Sequence, residues 1–200
     1  MTTLTELIDL TVEQTRRPEL TDITAAAVRT ATLRAHHTDF FPKDLTSVAL
    51  PYTPSSAAFY DFASIGNSAP RLRSIKHIQS TDSVTGAPVE QLEYREQDDL
   101  YDSDGNRRQH IYTLLGDTVR IYPQNPTGLA TVFYYQNPNT NGLQYSSWIA
   151  DAYPDELAAW AAAVVFARTG FAEMAQQFMQ LHVDPFRSML VESHLLGNVS

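Results

Sequence analysis

Tyr153–Leu181 reads YPDELAAWAAAVVFARTGFAEMAQQFMQL. Pro154 suits a first helical position, where a missing N–H costs nothing, and Asp155 and Glu156 set negative charge at the positive end of the helix dipole. From Leu157 to Ala167 every residue is apolar, so this helix has no solvent face. A helix apolar all round is buried in a core, in a membrane or against other chains. The run is too short to cross a bilayer, which needs roughly 20 residues. Gly170 separates it from a second helix. The wrapping has to come from the chain's own N-terminal helices, with or without a neighbouring copy; an ordinary core helix in a monomer satisfies the pattern too.

Those partners are legible upstream. Leu4, Leu7, Ile8 and Val12 fall at helical spacing and predict a helix over about residues 3–15. Arg16 and Arg17 sit at its C-terminal end, and Pro18 stops it. A second helix starts at Thr21 or Asp22, either of which can cap it, and runs to about His37. Phe40, Phe41 and Pro42 end it. At the other end of the chain, Asp184-Pro185 reads as a cap followed by proline at a first helical position. A last short helix, FRSMLVESHLL, then fades into Gly197–Ser200.

Between these helices the texture changes. Residues 46–144 hold eight of the ten tyrosines and are rich in β-branched and aromatic residues broken by turn signals. Strands are predicted near 46–52, 57–63, 70–79, 88–96, 109–115, 118–123 and 129–136. Gly116-Asp117 marks a hairpin of type II′ form, and Asp104-Gly105 and Asn125–Gly128 mark further turns. Asn137–Gly142 is a polar loop back to the helices. The expected fold class is α+β: a helical layer from the N- and C-terminal segments (1–45 and 145–184), with an inserted antiparallel β sandwich or small barrel (46–144) and a tail at 185–200.

Composition narrows function. Hydrophobic content of 43% and charged content of 18% are those of a folded soluble chain. Net charge is −9 and only Lys43 and Lys76 are lysines, so phosphates would be poorly neutralised and sequence-specific nucleic-acid binding is not expected. The chain has no cysteine, which removes disulfides and thiolate chemistry and fits a reducing compartment. The N-terminus lacks the charge pattern of a signal peptide, and no membrane span is expected.

No motif demands catalysis. His36, His37, His77, His110, His182 and His194 show no zinc spacing, and His36 and His37 point about 100° apart on a helix, as surface or interface groups would. The run Asp98–Asn106 departs from a calcium loop, with Leu100 and Ile111 at two ligand positions, so solvated carboxylates on a turn are expected. No GxSxG and no glycine-rich phosphate loop occur. Glu90, Glu93 and Glu96 on one strand could be a glycosidase pair or a solvated edge. Tyrosines of the β segment could stack on sugar, or fill a core. No catalytic centre, metal or cofactor is expected.

Three patterns together carry a family likeness: RRPELTDITAAAVRTATLRAHHTDFFPKDL (16–45), GDTVRIYPQNPTGLATVFYYQNP (116–138) and SWIADAYPDELAAWAAAVVFARTGFAEMAQQF (147–178). In this order they span most of the chain, which resembles the head-to-tail adaptors (head-completion or tail-tubular proteins) of short-tailed bacteriophages. The resemblance implies a structural virion protein in the neck, made in the host cytoplasm. It implies a homo-oligomeric ring, a dodecamer, docked between the portal protein and the tail nozzle or tail tube protein, through which genomic DNA passes during ejection without specific binding. Leu157, Trp160, Val164 and Phe171 would pack the ring wall. A C-terminal tail would dock on the portal through Phe186, Met189, Leu190, Leu195 and Leu196. The alternative is a monomeric protein- or carbohydrate-binding β module of a tail-associated or bacterial protein.

Overall fold

The computed structural model describes residues 1–52, 58–61, 71–82, 85, 87–100, 110–115, 118–122 and 128–197. The fold is α+β, as expected. Backbone contacts divide it into two units, Met1–Asp44 with Asn137–Ser200, and Leu45–Gln136. The boundaries differ from the expected ones. Leu45 already opens a strand, 137–144 folds with the helices through an Asn139–Ser146 bridge, and 185–197 belongs to the helical unit.

The helical unit begins with α1 (Leu4–Thr15), started by a capping box between Thr3 and Glu6 and ended by Arg16 in the left-handed region. α2 (Thr21–His36) follows a 3-10 turn, Pro18–Leu20. Neither Thr21 nor Asp22 caps it: the 3-10 turn supplies the entry instead, with Leu20 at the cap position. After the β unit come α3 (Trp148–Ala152), α4 (Pro154–Arg168) and α5 (Ala172–Phe178), with Gly170 at φ 85° making the break between the last two. Every residue of α4 from Leu157 to Phe166 is buried. α1, α2, α5 and the turn after it surround α4, so a single copy of the chain covers it.

The C-terminal segment departs from the expected separate tail. α5 runs through a π turn (Met179–Val183) directly into α6 (Asp184–Gly197). Pro185 has no N–H for the carbonyl four residues back, and its ring would strike that carbonyl in a regular α-helix. The helix absorbs this by widening beforehand: the Asp184 N–H bonds to the Met179 carbonyl, five residues back. The proline therefore does not release the chain. Phe186 and Leu190 pack into the same core as Leu7, Val28, Leu157 and Trp160.

The β unit is one curled sheet in the strand order β1-β7-β3-β4-β5-β6-β2, a half-barrel. Its strands are β1 (Leu45–Tyr52), β2 (Ala58–Asp61), β3 (Leu72–Thr81), β4 (Pro88–Tyr94), β5 (Ile111–Leu115), β6 (Thr118–Tyr122) and β7 (Gly128–Gln136). Alternate residues of β7 (Ala130, Val132 and Tyr134) meet Ile78, Leu92, Val119 and Ile121 on the buried face, the period of two that the sequence shows. β5 and β6 pair antiparallel, as the Gly116-Asp117 signal implies. β4 and β5 pair in parallel, at Glu93–Ile111 and Tyr94–Tyr112, and so are not joined as a hairpin. The turns at 104–105, 116–117 and 125–127 and the acidic run beyond Leu100 lie outside the described residues.

Candidate functional site

The helical unit holds a buried polar chain where the polypeptide leaves for the β unit and where it returns. His36 lies in the last turn of α2, Asp44 ends the 3-10 turn that precedes β1, and Ser147 caps α3. His36 Nδ1 stands 2.9 and 3.0 Å from the two Asp44 carboxylate oxygens, and its Nε2 2.9 Å from Ser147 Oγ. A carboxylate only accepts, so Nδ1 carries the proton, and with a neutral ring Ser147 Oγ–H donates to Nε2. The Trp148 indole N–H donates to Asp44 at 2.8 Å, and the Ala150 N–H donates to Ser147 Oγ at 3.1 Å. His36 is thus buried, against the sequence reading of a surface or interface histidine.

The order Ser–His–Asp is that of a hydrolase triad, so access decides what it can do. Ser147 is only 4% exposed, and its oxygen is already engaged in capping α3. A nucleophile has to reach a substrate atom, and this one is almost wholly buried. In the fold the chain of bonds ties the end of α2 and the turn before β1 to the start of α3, 111 positions away from His36, and gives His36, Asp44 and Ser147 partners for their polar atoms.

Tyr145 extends the network. The Thr32 hydroxyl donates to the Val28 carbonyl, so at 2.8 Å the Tyr145 hydroxyl donates to Thr32 Oγ1. Burial pushes this phenol up to about 12, only partly opposed by the Thr32 and Ser147 hydroxyls. Unfolded, it would ionise near 10. Between those values the unfolded chain binds fewer protons than the folded one, so stability falls as pH rises through the window. The expected loss from this group is roughly 2–3 kcal/mol. Denaturant melts of the wild type and of Tyr145→Phe at pH 9 and pH 12 check it: the variant should lack that share of the alkaline loss.

Beside the network lies a pocket of about 310 Å³ walled by Phe41, Trp148 and Tyr153. The Lys43 ammonium sits 4.7 Å from the centre of the Trp148 ring. Phe41 meets the same ring edge-on at 5.3 Å.

The residues expected to matter separate into four groups. Leu157, Trp160 and Val164 are buried as expected, but by their own chain. Phe171 is not part of that wall. It is 46% exposed, because it sits at the N-cap of α5, just past the Gly170 break. Phe186 and Leu190 are core residues and Met189 packs partly against them, so they are not a free docking surface. The side chains of Leu195 and Leu196, on α6, lie outside the described residues. Three apolar side chains stay uncovered along α5 and the π turn: Phe171, Met174 and Leu181, the last 71% exposed. With the half-buried Phe178 they are spaced three and four residues apart, which sets them along one side of the rod.

In the β unit, Glu90 pairs with His110, and Glu93 and Asp99 pair with Arg95 at 2.8 and 2.9 Å. A cleft of about 780 Å³ there is lined by Arg71, Arg73, Tyr94, Tyr112 and Leu114. The two tyrosine rings are 5.6 Å apart, and burial lowers the Arg71 guanidinium and raises the Tyr112 phenol from their ordinary values. Among the described residues no three His, Asp or Glu side chains gather as metal ligands, and no helix is long and apolar enough to cross a membrane.

Compared with known proteins, the chain matches no family model and no curated sequence.

Proposed function

We propose that this chain is a structural virion protein, a head-to-tail adaptor whose copies form a ring between portal and tail nozzle and continue the DNA channel. The observation that carries the reading is the uncovered apolar stripe on a unit whose core is otherwise closed. α4 needs no neighbour, so copy-to-copy packing falls to Phe171, Met174 and Leu181 on α5 and the π turn. The ordered patterns at 16–45, 116–138 and 147–178 support the family, and a net charge of −9 suits a conduit through which DNA slides without sticking. The portal contact is sought outside Phe186 and Leu190.

Light scattering on the purified chain, alone and mixed with the portal ring of its phage, tests this. A large assembly should form on mixing. The double variant Met174→Glu/Leu181→Glu should melt within about 0.5 kcal/mol of the wild type, since both sites are exposed. It should fail to assemble, because each new carboxylate would be buried without a partner. Normal assembly by that variant would remove the stripe from the interface.

The second reading, a monomeric binding module, is favoured by the tyrosine- and arginine-lined cleft of the β unit. A chain that stays monomeric with the portal and binds a glycan, with the binding lost in Tyr94→Ala, would be that module.

A further inference from the structure

The pocket of Phe41, Trp148 and Tyr153 has features that core packing does not require. Its volume, about 310 Å³, is at the small end of ligand sites and suits one large side chain. Its walls are fixed beforehand. The Trp148 indole is tied to Asp44 and wedged edge-on against His36 and Phe41, at centroid distances of 5.7 and 5.3 Å. A guest would order few side chains on entry.

Charge singles out the guest. The chain carries a net charge of −9 and only two lysines, and one of them, Lys43, stands at this pocket. Its ammonium rests on the Trp148 face, and among the described residues no carboxylate lies within ion-pair distance of it. The neighbouring carboxylates are engaged. Asp44 accepts from His36 and Trp148, and Asp39 is 2.8 Å from Nδ1 of His194, which lines the pocket. Lys43 thus offers a cation at the mouth that none of the described carboxylates pairs with directly.

We propose that this pocket docks an acidic segment of a protein partner, taking an aromatic or large aliphatic side chain between its rings and an adjoining carboxylate on Lys43. The site does not depend on the ring reading above. A basic segment is rejected by the same lysine, and a neutral one forgoes its contribution.

Three peptides of equal length, each with a central phenylalanine flanked by Asp, Asn or Lys, serve as probes. The chain has two tryptophans, Trp148 and Trp160, so two indole N–H resonances report binding directly in ¹⁵N-labelled protein. The Asp-flanked peptide should shift the Trp148 resonance saturably and leave that of the buried Trp160 in place. Lys43→Ala, an exposed substitution, should weaken that peptide by about threefold, to the level of the Asn-flanked one. Ser193→Trp, which blocks the pocket from an exposed position on α6, should weaken all binding. The proposal is overturned if Trp148 does not respond, if the Lys-flanked peptide binds as well as the Asp-flanked one, or if Ser193→Trp leaves binding intact.

Discussion

A chain that ends at Asp184 should lose its helical unit altogether. The missing residues include Phe186 and Leu190, both in the core, and the half-buried Met189. Phe186 packs edge-on against Tyr153 at 5.6 Å and against Trp160 at 6.4 Å, so its removal bares two aromatic faces at once. Truncating a buried phenylalanine costs about 3–5 kcal/mol and a buried leucine about 2–5 kcal/mol. Their sum approaches the whole stability of an ordinary domain, about 5–15 kcal/mol. Circular dichroism should show the helical signal collapsing while strand signal persists, and the product should aggregate. A truncated chain that kept its melting temperature would mean that α6 is dispensable to the core.

Trp160→Ala is the largest single-residue effect expected. The side chain is 4% exposed in the middle of α4, bounded by Phe186 on one side and with the Arg187 guanidinium 6.0 Å from its ring centre. The substitution leaves a cavity that α1, α2 and α6 cannot all close, costing about 3–5 kcal/mol. For a unit of this size the midpoint should fall by roughly 15–30 °C. Calorimetry should show a helical transition moved down and a β transition in place, since no β-unit residue shares this core cluster. An unmoved helical transition would show that Trp160 carries no core packing.

The run Leu157–Phe166 is legible because burial on every side leaves a composition that no surface helix has. Strand positions were legible because one face of β7 alternates with the other. Pro185 was misleading, since a proline after aspartate looks like a fresh helix start, and the π turn that accommodates it has no sequence signature of its own. Phe171 has the apolar character of a wall residue, but the Gly170 break turns it outward. The His36–Asp44–Ser147 chain was out of reach. Ser147 is separated from His36 by 111 positions, and no spacing rule connects residues on either side of an inserted unit. The parallel pairing of β4 and β5 was equally hidden, because strand patterning carries no direction.

The pairing of β1 with β7 has a consequence for how the helical unit comes together. Leu45 lies opposite Tyr135, so the first and nearly last residues of the inserted unit are neighbours across a ladder. In the unfolded chain α2 and α4 are held apart by that whole segment, and closing a loop of such length costs about 4 kcal/mol in chain entropy. Once the sheet forms, its own hydrogen bonds have met that cost. The two halves of the helical unit then search for each other as though joined by a short tether, and the bonds of His36 to Asp44 and Ser147 lock the ends in place. A segment that looks like an interruption of the helical unit can thus serve as its folding template.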